Sequence, residues 1–268
     1  MTQRERQILQ WIEQDPMISQ EALAEKAGIT RSSVAVHISN LIKKGYIIGK
    51  GYVLRSGTYA AVVGGVNMDI GGQSDGPLVP GDSNPGRVRI SLGGVGRNIA
   101  HNMALLGLDV RFLTAFGDDL YAQRIAASCG ELGIDISQAL RVPGGSTSTY
   151  LYLNGPDGDM ALAVSDMDIC RKMTPQFLAS RLTLLKGAQL IVADANLPAE
   201  SLRFLADHGA APLFVDPVST VKAEKLRPIL GKIHTLKPNR MEAELLSGVA
   251  ITNEESLRQA AQVLLDTG

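Results

Sequence analysis

Gly93-Gly94-Val95-Gly96-Arg97-Asn98 runs straight into Ile99-Ala100-His101-Asn102-Met103-Ala104-Leu105-Leu106, which Gly107 closes. The second half is an apolar helix, so the glycines stand at its N-terminal end. Glycines there let backbone N–H groups come close to a ligand, and Asn98 adds an amide for its hydroxyls. Two other readings of the loop fail on spacing. A dinucleotide fingerprint G-x-G-x-x-G starting at Gly94 requires glycine where Ile99 stands, and no Gly-Lys-Ser/Thr follows to complete a Walker A loop.

Outward from that loop the chain alternates short apolar runs with helical stretches. Upstream, Ala60-Ala-Val-Val-Gly-Gly65 reads as a buried strand that delivers Val66-Asn67-Met68-Asp69, and polar groups at a strand's C-terminal end mark a site. Residues 71–87 are rich in Gly, Pro, Ser and Asp and read as a loop, after which residues 87–92 alternate as a half-exposed strand. Downstream, residues 110–116 read as one strand, 121–132 as a helix closed by Gly133, and 147–164 as a β-hairpin turning at Asn154-Gly-Pro-Asp-Gly158. Residues 189–193 and 212–215 are buried strands opening onto Asp194-Ala-Asn196-Leu-Pro198 and Asp216-Pro217. Residues 234–238 form a last short strand that brings Asn239-Arg-Met-Glu242 to a helix.

The order Gly64-Gly65-Val66-Asn67-Met68-Asp69, then Gly93-Gly94-Val95-Gly96-Arg97-Asn98-Ile99-Ala100, then Lys237-Pro-Asn239-Arg-Met-Glu242 resembles the PfkB/ribokinase sugar kinase family, the last stretch resembling its N-x-x-E motif. With Asn84-Pro-Gly, Ser146-Thr-Ser-Thr-Tyr150 and Asp216-Pro-Val-Ser219, the chain is similar to bacterial members assigned to nucleosides, pseudouridine in particular. The resemblance implies a ribokinase-like α/β fold, a three-layer sandwich with a β lid, and transfer of a phosphoryl group from ATP to a hydroxyl of a sugar or nucleoside. Asp69 then accepts hydrogen bonds from sugar hydroxyls with the help of Asn67, Gly93, Gly94 and Asn98 line the other side of the sugar, and Asn196 is a further polar contact. Glu242 holds Mg²⁺ through water, with Asn239 near the phosphates. The hairpin at 147–164 belongs to a lid that excludes water.

One part of the pattern is absent. The family's second signature, D-T-x-G-A-G-D, carries the catalytic base; Asp266-Thr267-Gly268 starts like it but ends a helix read over 255–265, and no Gly-Ala-Gly-Asp follows in residues 1–268. The resemblance places the catalytic Asp beyond Gly268, with the remaining strands, the ATP pocket and any monovalent-cation site. Residues 1–268 alone are therefore expected to be inactive.

Residues 1–56 have another texture. Ile8, Leu9 and Ile12 share a helical stripe that Asp15-Pro16 stops, Ser19 caps a second helix carrying Leu23 and Ala27 inward, and Gly28 ends it. Thr30 caps a third helix, whose buried stripe is Val34, Ile38, Leu41 and Ile42. Residues 46–54 read as two apolar strands around Gly49-Lys50-Gly51. Three helices and a wing are the layout of a winged helix-turn-helix domain. Arg31, Ser32 and Ser33 stand at the third helix's N-terminal turn, where base edges are met, and Lys43, Lys44 and Lys50 suit phosphates. Eight Lys/Arg against five Asp/Glu give residues 1–56 a net +3, against −4 for residues 57–268. The basic excess belongs to this module; the layout makes DNA its expected partner, with an oligomerisation or regulatory role as the other reading, and a two-fold operator would call for a homodimer.

Composition bounds the rest. With 45% hydrophobic and 20% charged residues the chain is neither disordered nor fibrous, and 4% aromatics argue against recognition chiefly by base stacking. Two cysteines, Cys129 and Cys170, build no disulfide framework and no zinc site. No apolar run is long enough to span a bilayer, so neither membrane nor export is expected and the cytoplasm is the default. A second reading, from a different class, is a transcription regulator whose kinase-like domain, residues 57–268, senses a sugar or nucleoside.

Overall fold

The computed structural model describes residues 1–48 and 58–268. The chain divides into two compact units, Met1–Gly57 and Thr58–Gly268. In the first, helices α1 (Gln3–Gln14), α2 (Gln20–Ala27) and α3 (Arg31–Lys43) close on Ile8, Ile12, Leu23, Val34, Ile38 and Leu41. Thr2, Ser19 and Thr30 each accept a hydrogen bond from the first turn of their helix. Gly28 leaves α2 at φ +63°, a conformation glycine adopts without strain. Ile42 departs from the expected stripe: at 3.6 residues per turn it stands about 80° round from Val34, and it is half exposed. Of the expected wing, Ile47 joins the core; residues 49–54 lie outside the described residues.

In the second unit the elements follow as β1 (Tyr59–Val63), β2 (Asn67–Ser74), β3 (Gly86–Gly93), α4 (Val95–Leu105), β4 (Asp109–Leu113), β5 (Ala115–Phe116), α5 (Leu120–Glu131) and β6 (Leu140–Arg141). Then come β7 (Thr149–Asn154), β8 (Met160–Asp166), α6 (Pro175–Ala179), α7 (Leu182–Gly187), β9 (Leu190–Asp194), α8 (Ala199–His208), β10 (Leu213–Asp216), α9 (Thr220–Ala223), β11 (Thr235–Leu236), α10 (Arg240–Ser247) and α11 (Glu254–Leu265). The main sheet is parallel, in the order β11-β10-β9-β1-β4.

Alternate residues of each central strand enter two different cores. Ala61, Val63, Ile191, Ala193 and Leu213 pack with Leu178, Leu185, Leu202 and Leu205 of α6, α7 and α8. Val62 and Val192, on the opposite face, pack with Ala100 of α4 and Ala122, Ile125 and Cys129 of α5. Burial on both faces explains why β1 reads as an unbroken apolar run. The result is a sheet between two helical layers.

A second sheet, β3-β2-β7-β8, forms the lid. Here the structure departs from sequence expectation twice. Residues 71–74 continue β2 rather than opening a loop, because Gly71 and Gly72 lie beneath neighbours from β7: a Cβ on Gly71 would strike the Tyr152 ring, and one on Gly72 the Leu153 side chain. Glycine's weak strand propensity hid the strand. Strand β3 is exposed on both faces over residues 86–91, so its alternation does not report burial. The expected strand at 110–116 is also divided: β4 ends at Leu113, and β5 pairs with β6 in a sheet of their own.

Candidate active site

The start of β2 and the end of β3 bring the first candidates together. Asn67 is paired with Gly93 across the two strands, and its Nδ2 donates to Asp69 Oδ1 at 2.6 Å. Asp69 is partly exposed, and Gly93 leaves room for it, since a Cβ there would collide with the carboxylate. Gly94 is the N-cap of α4 at φ +98°, where a Cβ would press on Gly65 O at 2.6 Å. Helix α4 begins at Val95, so Arg97 and Asn98 lie inside its first turn rather than ahead of it. The N–H groups of Gly96, Arg97 and Asn98 are all satisfied within the protein, by Asp194, Gly65 O and Gly94 O. The glycines permit this close packing, and the N–H groups of Gly96, Arg97 and Asn98 are not open to a ligand.

Asn98 is exposed, and its Oδ1 accepts from the Arg97 guanidinium at 3.3 Å. Arginine has no acceptor, so this contact fixes the amide orientation and leaves the Asn98 Nδ2 to donate outward. Arg97 itself is buried, donates to Ser128 Oγ at 3.2 Å, and has its pKa lowered by that burial.

Asp194 is the residue that sequence reading missed. It ends β9, fully buried, where its Oδ2 accepts from Gly65 N at 2.9 Å and Gly96 N at 2.7 Å, and its Oδ1 from Asn196 N at 2.9 Å. One carboxylate thereby joins the segment after β1, the first turn of α4 and the segment after β9. Burial pushes its pKa up to about 6 against the pull of those three N–H donors. Gly64 has no room for a side chain, since a Cβ would stand 2.5 Å from Asp194 Oδ2. Its position after an apolar strand was visible in the sequence; its partners, 129 and 98 residues away, were not.

Asn196 belongs to the same corner, where a Cβ on Gly65 would touch its Nδ2 at 2.9 Å. Its Oδ1 accepts from Lys222 Nζ at 2.6 Å, and Lys225 Nζ binds the carbonyls of Ala195 and Leu197. Burial, then the charge of Lys222, lowers the Lys225 pKa. Both lysines come from α9 and the 3-10 helix after it, with no motif to announce them.

Asn239 and Glu242 stand elsewhere, at the N-terminus of α10, where they form a reciprocal cap: Glu242 N donates to Asn239 Oδ1 at 2.9 Å and Asn239 N to Glu242 Oε2 at 2.8 Å. Glu242 is only 3% exposed. Among the described residues no group of three or more His, Cys, Asp or Glu gathers as a metal site. At the root of the lid, Asp119 caps α5 through Ala122 N and also accepts from Thr147 N and Oγ1. Burial opposes its ionisation, but these donors prevail and lower its pKa.

In the front module Arg31 is exposed and pairs with Glu21 at 3.5 Å. Ser32 and Ser33 both share the Thr30 hydroxyl at 2.9 Å. Lys43 is exposed, whereas the Lys44 ammonium is held by both oxygens of buried Glu5, at 2.9 and 2.8 Å, and is not free for a phosphate. Lys50 lies outside the described residues. Sequence reading did not single out Val36, which is 59% exposed on α3.

Residues 58–268 match the pfkB family carbohydrate kinase, and residues 1–48 match the winged helix-turn-helix DNA-binding family. Over its full length the chain is 43% identical to the uncharacterized sugar kinase YeiI of Escherichia coli (strain K12), of which it covers 74%. It is also 43% identical over 209 residues to the pseudouridine kinase of the same organism, covering 78% of this chain and 67% of that one. An Arabidopsis thaliana ribokinase solved with ribose and ATP superposes with a TM-score of 0.67 over 79% of this chain and 69% of that one at 20% identity, a likeness of fold alone. The fold is thus ribokinase-like, and the chain belongs to the pfkB family of carbohydrate kinases, with a winged helix-turn-helix domain at its front.

Proposed function

We propose that the protein phosphorylates a hydroxyl of a nucleoside or sugar, pseudouridine-like, with ATP as donor, and that its front domain binds DNA. The observation that carries the reading is the corner where Asp69 and Asn67 face Gly93, with Asn98 and Asn196 on segments held by one buried carboxylate, Asp194. Asp69 is an acceptor for two sugar hydroxyls, and Asn98 Nδ2 is a donor to a third oxygen, so the corner orients a polyol with alternating polarity. The name of the pseudouridine kinase relative, 43% identical over 209 residues, supports a nucleoside.

ATP supplies the phosphoryl group, and Mg²⁺ travels on its phosphates. Glu242 Oε2 is committed to the α10 cap, which leaves Oε1 as the oxygen that would hold the ion, through water as the resemblance implies. The resemblance assigns the base that takes the substrate proton to the second family signature. Arg31, Ser32 and Ser33 in the first turn of α3, and exposed Lys43 at its C-terminal end, are the residues for DNA. Dimerisation through the exposed apolar face of the second sheet, with Val88, Ile90, Leu151, Leu153, Leu162 and Val164, suits a domain that reads two-fold sites.

The test, on a form of the protein extended through the second family signature, is a thermal-shift titration with pseudouridine, other nucleosides and free sugars, followed by ATP-consumption assays on each ligand found. Binding with ATP turnover is expected. Binding without turnover favours a ligand-sensing regulator, a reading to which the helix-turn-helix match lends its weight.

A further inference from the structure

Asp69, Gly71 and Gln73 lie on one face of β2, and the register sets Ser91, Arg89 and Arg87 of β3 and Tyr150, Tyr152 and Asn154 of β7 beside them. The face that holds the candidate sugar carboxylate therefore continues outward as a polar strip. One two-residue step beyond Asp69, about 7 Å, is Gly71, over whose bare backbone the Tyr152 ring lies. Arg89 stands opposite. From here Gly71, Gln73, Asp75, Arg87, Arg89, Tyr152 and Asn154 line a cavity of about 430 Å³.

We propose that this cavity is a subsite for the group attached to the sugar, and that it selects a flat heterocycle with adjacent C=O and ring N–H, a lactam edge. The proposal rests on the reading of Asp69 as the sugar contact. Neither arginine is in an ion pair among the described residues, so their guanidinium donors suit a carbonyl oxygen. The Gln73 amide nitrogen donates to Gly155 O, which leaves its Oε1 as an acceptor for a ring N–H. Tyr152 supplies an aromatic surface for the ring. Arg87 and Arg89 outweigh the Asp75 carboxylate in charge, so an oxyanion competes for the cavity, but Gln73 Oε1, an acceptor, favours a ligand that also offers an N–H. Edge-strand arginines also discourage pairing with other chains, but that role predicts no dependence on the ligand's base.

Calorimetric titration of the full chain and its R89M variant with pseudouridine, inosine, cytidine and ribose tests the subsite. Arg89 is exposed on an edge strand, so the variant is expected to fold. Wild type should bind pseudouridine and inosine more tightly than cytidine or ribose. R89M should lose roughly tenfold to a hundredfold in affinity for the two lactam nucleosides, the loss expected of a hydrogen bond to a charged group, and bind ribose as wild type does. R89K, a donor without the fork, should fall between. Equal losses for ribose and pseudouridine, or no loss in R89M, would overturn the subsite while leaving the sugar site standing. Failure of wild type to bind ribose or any nucleoside would overturn both.

Discussion

Asp194 shows how one side chain can order a site that it does not present to the ligand. Its three backbone partners lie in the two glycine segments and at Asn196, so its replacement is felt in all three. Asparagine in its place keeps one acceptor but turns an N–H₂ toward a backbone N–H. D194N is expected to destabilise the kinase domain by about 1–3 kcal/mol and to weaken sugar binding, read from melting curves and titration calorimetry. The pH dependence has a definite sign. With the folded pKa raised to about 6 from an ordinary value of 3.8, the native state holds the proton longer than the unfolded chain, so this group's contribution to stability falls as pH rises from about 4 to 6. The difference in melting temperature between wild type and D194N should widen as pH is lowered from 7 to 5. A constant difference would show that Asp194 does not titrate in that range.

At the scale of elements, the helices of the front module and the strands of the main sheet were legible because their signals are local. Ser19, Thr30, Gly28 and the apolar stripes mark the helices, and runs such as Tyr59–Val63 mark strands buried on both faces. The lid was half legible. Its hairpin announced itself through the turn at residues 154–158, but β2 was obscured by Gly71 and Gly72, whose environment comes from β7. The same limit applies to the site: Asp69, Gly93 and Asn98 belong to recognisable stretches, whereas Asp194, Lys222 and Arg97 act through partners set by tertiary packing. Lys44 looked like a phosphate contact and instead fastens α3 to α1 through Glu5. Lys44 is the largest cause of the fall in the Glu5 pKa to about 2, with the Thr2 N–H next. A lowered acid pKa stabilises above its ordinary value of 4.5 and ceases to as pH falls through about 2. The helical signal of an isolated front module should therefore fade over that window, and K44M should lose much of the dependence; identical acid titrations of the two would contradict the pair's role.

For the whole molecule, the outer face of the lid matters most for assembly. Val88, Ile90, Leu151, Leu153, Leu162 and Val164 share that face by strand alternation and are 40–70% exposed. An apolar sheet face of this extent is unusual on a monomer. L162D is expected to shift the protein from dimer to monomer in sedimentation velocity, and a wild type that sediments as a monomer would remove the lid from the interface. The polar face, by contrast, carries Asp69. On the proposed reading, ligand recognition and assembly occupy opposite sides of one four-stranded sheet. The most direct measurement is calorimetric titration of pseudouridine, ribose and ATP into wild type and D69A, both in a form extended through the second family signature. Wild type should bind the sugar-bearing ligands, and D69A should lose at least about tenfold in their affinity, as expected when a charged acceptor is removed, with ATP affinity changed far less. Equal losses for sugar and ATP, or undiminished sugar binding in D69A, would contradict the assignment of this corner as the sugar site.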